Sequence, residues 1–173
     1  IPRLVKQIQR SVVILVKIIM GLNGSGKTRK LVEMATEAIK TGSGDVIVVE
    51  NENKLTYDIP YQARLIDVSQ YGITNYNFIK GFICGVRSSN YDITNMYIDN
   101  FSKLVDDKSA DNFADFIAWL DKFAEEEKIE VVISTKGDPE FANESNSTIF
   151  NYVKQCFGRS YELFFDTQYM DDP

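Results

Sequence analysis

Apolar residues change their spacing several times along this chain, and each change marks an element. Residues 13–20 are apolar except for Lys17, without alternation, and Gly21 ends the run. Such a stretch reads as a central strand covered on both faces. From Lys27 the spacing turns helical, with Leu31, Ala35, Ala38 and Ile39 on one side. Thr41-Gly42-Ser43-Gly44-Asp45 is a turn, and Val46, Ile47, Val48 and Val49 form a second buried strand ending at Glu50. Residues 51–61, with Tyr57, Pro60 and Tyr61, read as a surface excursion, and residues 64–68 as a further strand. Phe78, Ile79, Phe82, Ile83 and Val86 predict a helix over residues 74–88, and residues 93–98 a strand ending at Asp99. Ser109 then caps a helix whose apolar face holds Phe113, Phe116, Ile117, Leu120, Phe123 and Ala124. A strand over 129–134 leads to the turn Gly137-Asp138-Pro139, a helix over 147–157, a last strand over 161–165 and a loose acidic tail over 166–173.

Strands alternating with helices predict one α/β domain, a three-layer αβα sandwich around a mostly parallel sheet of about five core strands. Residues 13–165 make up that domain. Residues 1–12 read as a peripheral or foreign extension, and no internal repeat or interdomain linker interrupts the pattern. In an open parallel sheet, ligands bind at the carboxyl ends of the strands, so the chemistry is expected just past each strand.

Composition narrows the chemistry. The chain has 173 residues, net charge −6, no histidine and two cysteines, Cys84 and Cys156. Histidine-dependent triads and multi-ligand Cys/His zinc sites are excluded. The two cysteines read as buried apolar residues of a reducing, cytoplasmic setting. The acidic balance gives no strong nucleic-acid signal. The run over residues 11–20, interrupted by Lys17, is too short to span a bilayer, which takes about 20 apolar residues. The charge is uneven: residues 1–30 carry seven basic side chains and no acid, whereas the other 143 residues carry 12 basic and 25 acidic ones.

Part of that basic excess falls on Gly21-Leu22-Asn23-Gly24-Ser25-Gly26-Lys27-Thr28, which satisfies G-x-x-x-x-G-K-[ST] between a strand and a helix. Glycines let the backbone wrap a phosphate, so that successive N–H groups and the positive helix end face one anion. Lys27 adds a point charge, and the Thr28 hydroxyl is suited to Mg²⁺, which takes only one or two protein oxygens. The segment resembles the phosphate-binding loop of P-loop NTPases. The resemblance implies nucleotide contacts from Gly21, Asn23, Gly24, Ser25, Gly26, Lys27, Thr28 and Arg29, with Mg²⁺ as cofactor. A GTP-binding switch protein carries an N/T-K-x-D motif for its base; ATP is the nucleotide expected here.

The order of strand ends, phosphate loop, then Glu50, Asp99 and the Ser134-Thr135-Lys136 end, is similar to the RecA-like and thymidine-kinase-like branch of that family. It is also similar to short, uncharacterised bacterial P-loop ATP-binding proteins. The resemblance implies that Asp99 joins Thr28 in holding Mg²⁺, that Glu50 is the base for an attacking water, and that Thr135 or Ser134 senses the γ-phosphate. Asn100 stands where many relatives place a glutamate base. Arg64, Arg87 and Arg159 are the candidates for an arginine finger, and Tyr57 and Tyr61 for stacking on the base. Three functions remain open: a slow ATPase or ATP-dependent switch working in a homo-oligomer or with a protein partner, a small-molecule or nucleoside kinase, and a regulatory module that holds nucleotide without turnover.

Overall fold

A computed structural model describes residues 15–137 and 163–164. The extension 1–12, the helix expected over 147–157, the acidic tail, Cys156 and Arg159 lie outside the described residues. The described elements run β1 (Val16–Gly21), α1 (Lys27–Thr41), β2 (Asp45–Glu50), β3 (Arg64–Asp67), α2 (Tyr76–Ser89), β4 (Ile93–Ile98), α3 (Phe101–Leu104), α4 (Ala110–Glu127), β5 (Glu130–Lys136) and β6 (Leu163–Phe164). All strand pairs are parallel, in the order β3-β2-β4-β5-β1-β6. The expected α/β sandwich is therefore present, with five longer strands and the two-residue β6 at one edge.

Strands with no polar face must be covered on both sides, and two separate cores do this. Leu31 and Ala35 of α1 pack on Ile19, Val46, Val48, Tyr97 and Val132. On the opposite face, α2 and α4 cover Ile18, Ile47, Val49, Met96, Ile98, Val131 and Ile133. Alternation along each strand sends successive side chains to opposite layers, so these two sets interleave residue by residue.

The helices differ from expectation at their margins. In α2 the buried stripe is Ile79 and Ile83, four residues apart, so their sequence neighbours turn away from the core. Phe78, expected inside, is 44% exposed, and Cys84, expected buried, is exposed. In α4, Ala114 joins Phe116, Ile117, Leu120 and Ala124 in the core, while Phe113 and Phe123 are only half-buried. The Ser109 hydroxyl caps α4 by accepting from Asn112 N at 3.3 Å, as its sequence position predicts. The 51–61 excursion is anchored rather than loose, because Leu55 and Ile59 insert into the α1-side core. The four-residue α3 follows β4 directly and is too short to leave a periodic signal.

Phe116 sits at the centre of an aromatic cluster, 4.9 Å from Phe101, 5.4 Å from Tyr76 and 5.9 Å from Trp119 between ring centroids. Phe116→Ala should therefore lower unfolding free energy by about 3–5 kcal/mol in urea denaturation. Tyr61→Ser, at a position 93% exposed, should stay within about 0.5 kcal/mol of the parent.

Candidate functional site

Strand parity decides which end-of-strand residues meet. Val48 and Tyr97 face α1, and so do Glu50 and Asp99, two residues further along β2 and just past β4. Val132 places Ser134 on the same face of β5, whereas Ile133 places Thr135 on the other. Since β2, β4 and β5 are consecutive in the sheet, Glu50, Asp99 and Ser134 line up beneath the first turn of α1.

Thr28 closes that line. Its hydroxyl lies 3.1 Å from Oδ1 and 3.0 Å from Oδ2 of Asp99, joining residues 71 positions apart in sequence. Asp99 is only 3% exposed, and a carboxylate so placed needs donors. Ser134 Oγ donates to Oδ1 at 2.5 Å, and Asn100 Nδ2 donates to Oδ2 at 3.2 Å. Asn100 N in turn donates to Ser134 Oγ at 2.8 Å. Asn100 adopts the left-handed conformation, φ 51°, which asparagine tolerates better than most residues. The position after Asp99 thus carries a side chain that orients the carboxylate and a backbone that turns into α3.

The loop over residues 21–28 owes its shape to three glycines. Gly24 and Gly26 have φ of 77° and 86°, and a Cβ on Gly21 would come 2.3 Å from Ser25 Oγ. Ser25 N donates to Leu22 O at 3.2 Å, closing the turn. Lys27 is 9% exposed and donates from Nζ to Leu22 O at 2.6 Å, so its charge folds back across the loop. Burial holds its ammonium below the ordinary lysine pKa; the nearby Asp99 carboxylate opposes that shift and the Lys136 ammonium adds to it.

Glu50 is 3% exposed, and its two oxygens differ. Oε2 accepts from Lys54 N at 2.8 Å and Leu55 N at 3.0 Å, while Oε1 is buried with no partner among the described residues. A cavity of about 230 Å³ lies here, bordered by Glu50, Thr28, Asp99, Glu52, Lys54 and Lys103 among others. Glu52 accepts from both Lys103 and Lys54, and these hydrogen bonds hold its carboxyl below the usual carboxylate range. Among the described residues no group of three or more acidic, histidine or cysteine side chains is placed to hold a metal. The oxygen donors that do converge are Thr28 and Asp99.

Several predicted residues fall elsewhere. Arg29 is exposed and pairs with Glu33 at 3.3 Å, and Asn23 is exposed on the loop. Arg64 is exposed at the amino end of edge strand β3, and Arg87 pairs with Glu127 at 3.0 Å near the amino end of β4. Besides Lys27, the cations on the wall of the Glu50–Asp99 cavity are Lys103 and Lys54, whose only sequence signal is a place a few residues past Asp99 and Glu50. Tyr57 and Tyr61, 97% and 93% exposed, project from the 51–61 segment. Thr135 lines a separate cavity on the α4 side with Met20, Lys136 and Gly137. Residues 135–138 read Thr-Lys-Gly-Asp, which does have the T-K-x-D spacing of guanine-reading motifs. That spacing corrects the reason for expecting ATP over GTP.

No protein-family model and no curated protein sequence matches this chain. Among solved structures it is similar to the cytoplasmic domain of the type VII secretion ATPase EccC of Thermomonospora curvata, at 13% identity and a TM-score of 0.48. The match covers 81% of this chain and spans 18% of that one. No helix among the described residues is long and apolar enough to cross a membrane.

Ser134 both donates to Asp99 and accepts from Asn100 N, so Ser134→Ala should leave that amide and one carboxylate oxygen short of a partner. The expected cost is about 1–3 kcal/mol in chemical denaturation, together with faster hydrogen exchange at the Asn100 amide.

Proposed function

We propose that this protein binds a Mg²⁺–nucleoside triphosphate at residues 21–28 and hydrolyses it slowly, as a small P-loop ATPase or ATP-dependent switch. The observation that carries the reading is the meeting of the Thr28 hydroxyl with the Asp99 carboxylate at the mouth of a glycine-shaped loop. Two oxygen donors on that scale suit Mg²⁺, which keeps most of its waters. When bound, Mg²⁺ would offset phosphate charge and polarise the γ-phosphoryl group. Thr28 and Asp99 would hold it, with Ser134 and Asn100 keeping the carboxylate oriented.

Lys27 would exchange its bond to the Leu22 carbonyl for the β- and γ-phosphates. A partly desolvated ammonium leaving a neutral acceptor for an anionic one gains a stronger, charge-assisted hydrogen bond. Glu50 is fixed through Oε2 by two backbone donors, which leaves Oε1 to accept a hydrogen bond from a water in the cavity. In this reading Glu50 orients that water and takes its proton, a role Asn100 has no basic group to fill. Lys103 and Lys54 supply positive charge on the same cavity wall. The spacing of residues 135–138 supports GTP and the overall resemblance supports ATP, so the base preference is settled by competition between the two.

A second reading, a module that holds nucleotide without turnover, is favoured by Asn100 itself, an amide bonded to Asp99 where relatives place a carboxylate. Kinase activity toward a nucleoside or other small acceptor would appear as labelled product in an acceptor screen with labelled ATP.

Lys27→Ala should weaken Mg-ATP or Mg-GTP binding by about tenfold to a hundredfold, the value of a hydrogen bond between charged partners. Calorimetry with the preferred nucleotide checks this, and an unchanged affinity would sink the assignment. Glu50→Gln should keep that affinity and lower phosphate release by about 10²–10⁴-fold. Tight binding with no phosphate release by the parent protein would select the non-hydrolysing reading.

A further inference from the structure

The cavity of about 230 Å³ beside Thr28 and Asp99 is smaller than the pockets that enclose ring compounds, which begin at about 300 Å³. Its lining is polar apart from Leu55. A compact, hydrated group suits such a space better than a ring does. Three carboxylates border it, Glu50, Glu52 and Asp99, against two ammoniums, Lys54 and Lys103. Glu50 Oε1 is buried there without a partner among the described residues.

Both ammoniums are held by Glu52, two residues past β2, which accepts from Lys103 Nζ and from Lys54 Nζ. The two lysines are not equivalent. The Lys54 side chain is 71% exposed on the 51–61 excursion, and that of Lys103 is 51% exposed on α3. The rotation of α3 is fixed by Phe101 and Leu104, both buried. Lys103 N donates to Asn100 O at 2.9 Å, and Asn100 N donates to Ser134 Oγ, so the base of Lys103 is tied to the network that holds Asp99. Its ammonium, by contrast, is held by a half-exposed ion pair that water screens, and such a pair exchanges at little cost. A phosphate oxygen offers that ammonium a stronger, charge-assisted hydrogen bond than a solvated carboxylate does.

We propose that Lys103 is the residue by which this site tells a nucleoside triphosphate from a diphosphate, with Glu52 holding it at the cavity wall until a terminal phosphate takes the place of that carboxylate. The inference rests on the reading of residues 21–28 as a triphosphate site. A terminal phosphate entering beside Glu50 and Asp99 meets like charge, which weakens binding unless a cation faces it. Lys103 is that cation, on the same wall as Thr28. A diphosphate leaves the space beside Lys103 unfilled and the Glu52 pair intact. The role is the one expected of an arginine, but Arg64 and Arg87 lie toward the opposite end of the sheet.

Calorimetry on the full chain with Mg²⁺ tests this by comparing the β,γ-imido analogue of the preferred triphosphate with the matching diphosphate. Lys103→Gln should weaken triphosphate binding by about tenfold, the loss of one charge-assisted hydrogen bond, and keep diphosphate binding within about twofold of the parent. Its melting transition should stay at the parent value, since the side chain is half-exposed. Lys103→Arg keeps the charge and the donors and should restore the preference for triphosphate. Glu52→Gln removes the competing carboxylate, so it should tighten triphosphate binding and leave diphosphate binding unchanged. Equal losses for both nucleotides in Lys103→Gln, or weaker triphosphate binding in Glu52→Gln, overturn the role of Lys103 and leave the nucleotide site standing. A parent protein that binds neither nucleotide overturns the nucleotide reading itself, and this role with it.

Discussion

The buried carboxylate of Asp99 is the group on which the arrangement of the site depends. A charge taken out of water at the end of a central strand must be met by donors, and each donor here arrives from a different part of the chain: Thr28 from α1, Ser134 from β5 and Asn100 from the turn that opens α3. Satisfying one carboxylate therefore fixes the 21–28 loop against two strands that are distant from it in sequence. It also fixes the exit from β4, since the same serine that donates to Asp99 receives the Asn100 amide.

Around that anchor three lysines gather at one end of the sheet. Lys27 is partly desolvated and donates to the Leu22 carbonyl. Lys103 and Lys54 are kept beside the cavity by Glu52, so positive charge is available without being buried alone. Glu50 is held by backbone amides on one oxygen and has no partner among the described residues on the other, an imbalance that costs stability in a buried group.

The parallel sheet separates this polar site from the cavity on the α4 side with almost no structural investment. Residues one apart on β1 and β5 face opposite layers, so a single stretch of backbone serves both, and the Gly21–Gly137 hydrogen bond is shared ground between them. The same period explains why Ser134 and Thr135, equivalent in a reading by residue type, have different surroundings. One completes the Asp99 network and the other lines the cavity under α4.

Much of this was legible in the residue order. The unalternating runs marked β1, β2 and β4, the shift to helical spacing marked α1, α2 and α4, and the glycine–lysine–threonine spacing marked the loop, because each is a local pattern with one dominant physical solution. Glu50 and Asp99 were identifiable as strand-end carboxylates for the same reason. Local pattern did not reveal α3, whose four residues span barely one turn and leave no repeat, nor the exposure of Cys84 and Phe78, which depends on the rotation of α2 against the sheet. It also did not separate the arginines from the lysines as neighbours of the site, since Arg64 and Arg87 lie toward the opposite end of the sheet and Lys103 shows no motif. The sequence by itself determined the elements, their parallel class and the glycine-shaped turn at residues 21–28, because these follow from spacing within a few residues. Only the tertiary structure decided that Thr28, Asp99 and Ser134 share one face and Met20 and Thr135 the other, because that depends on strand order and on which layer each strand's parity meets.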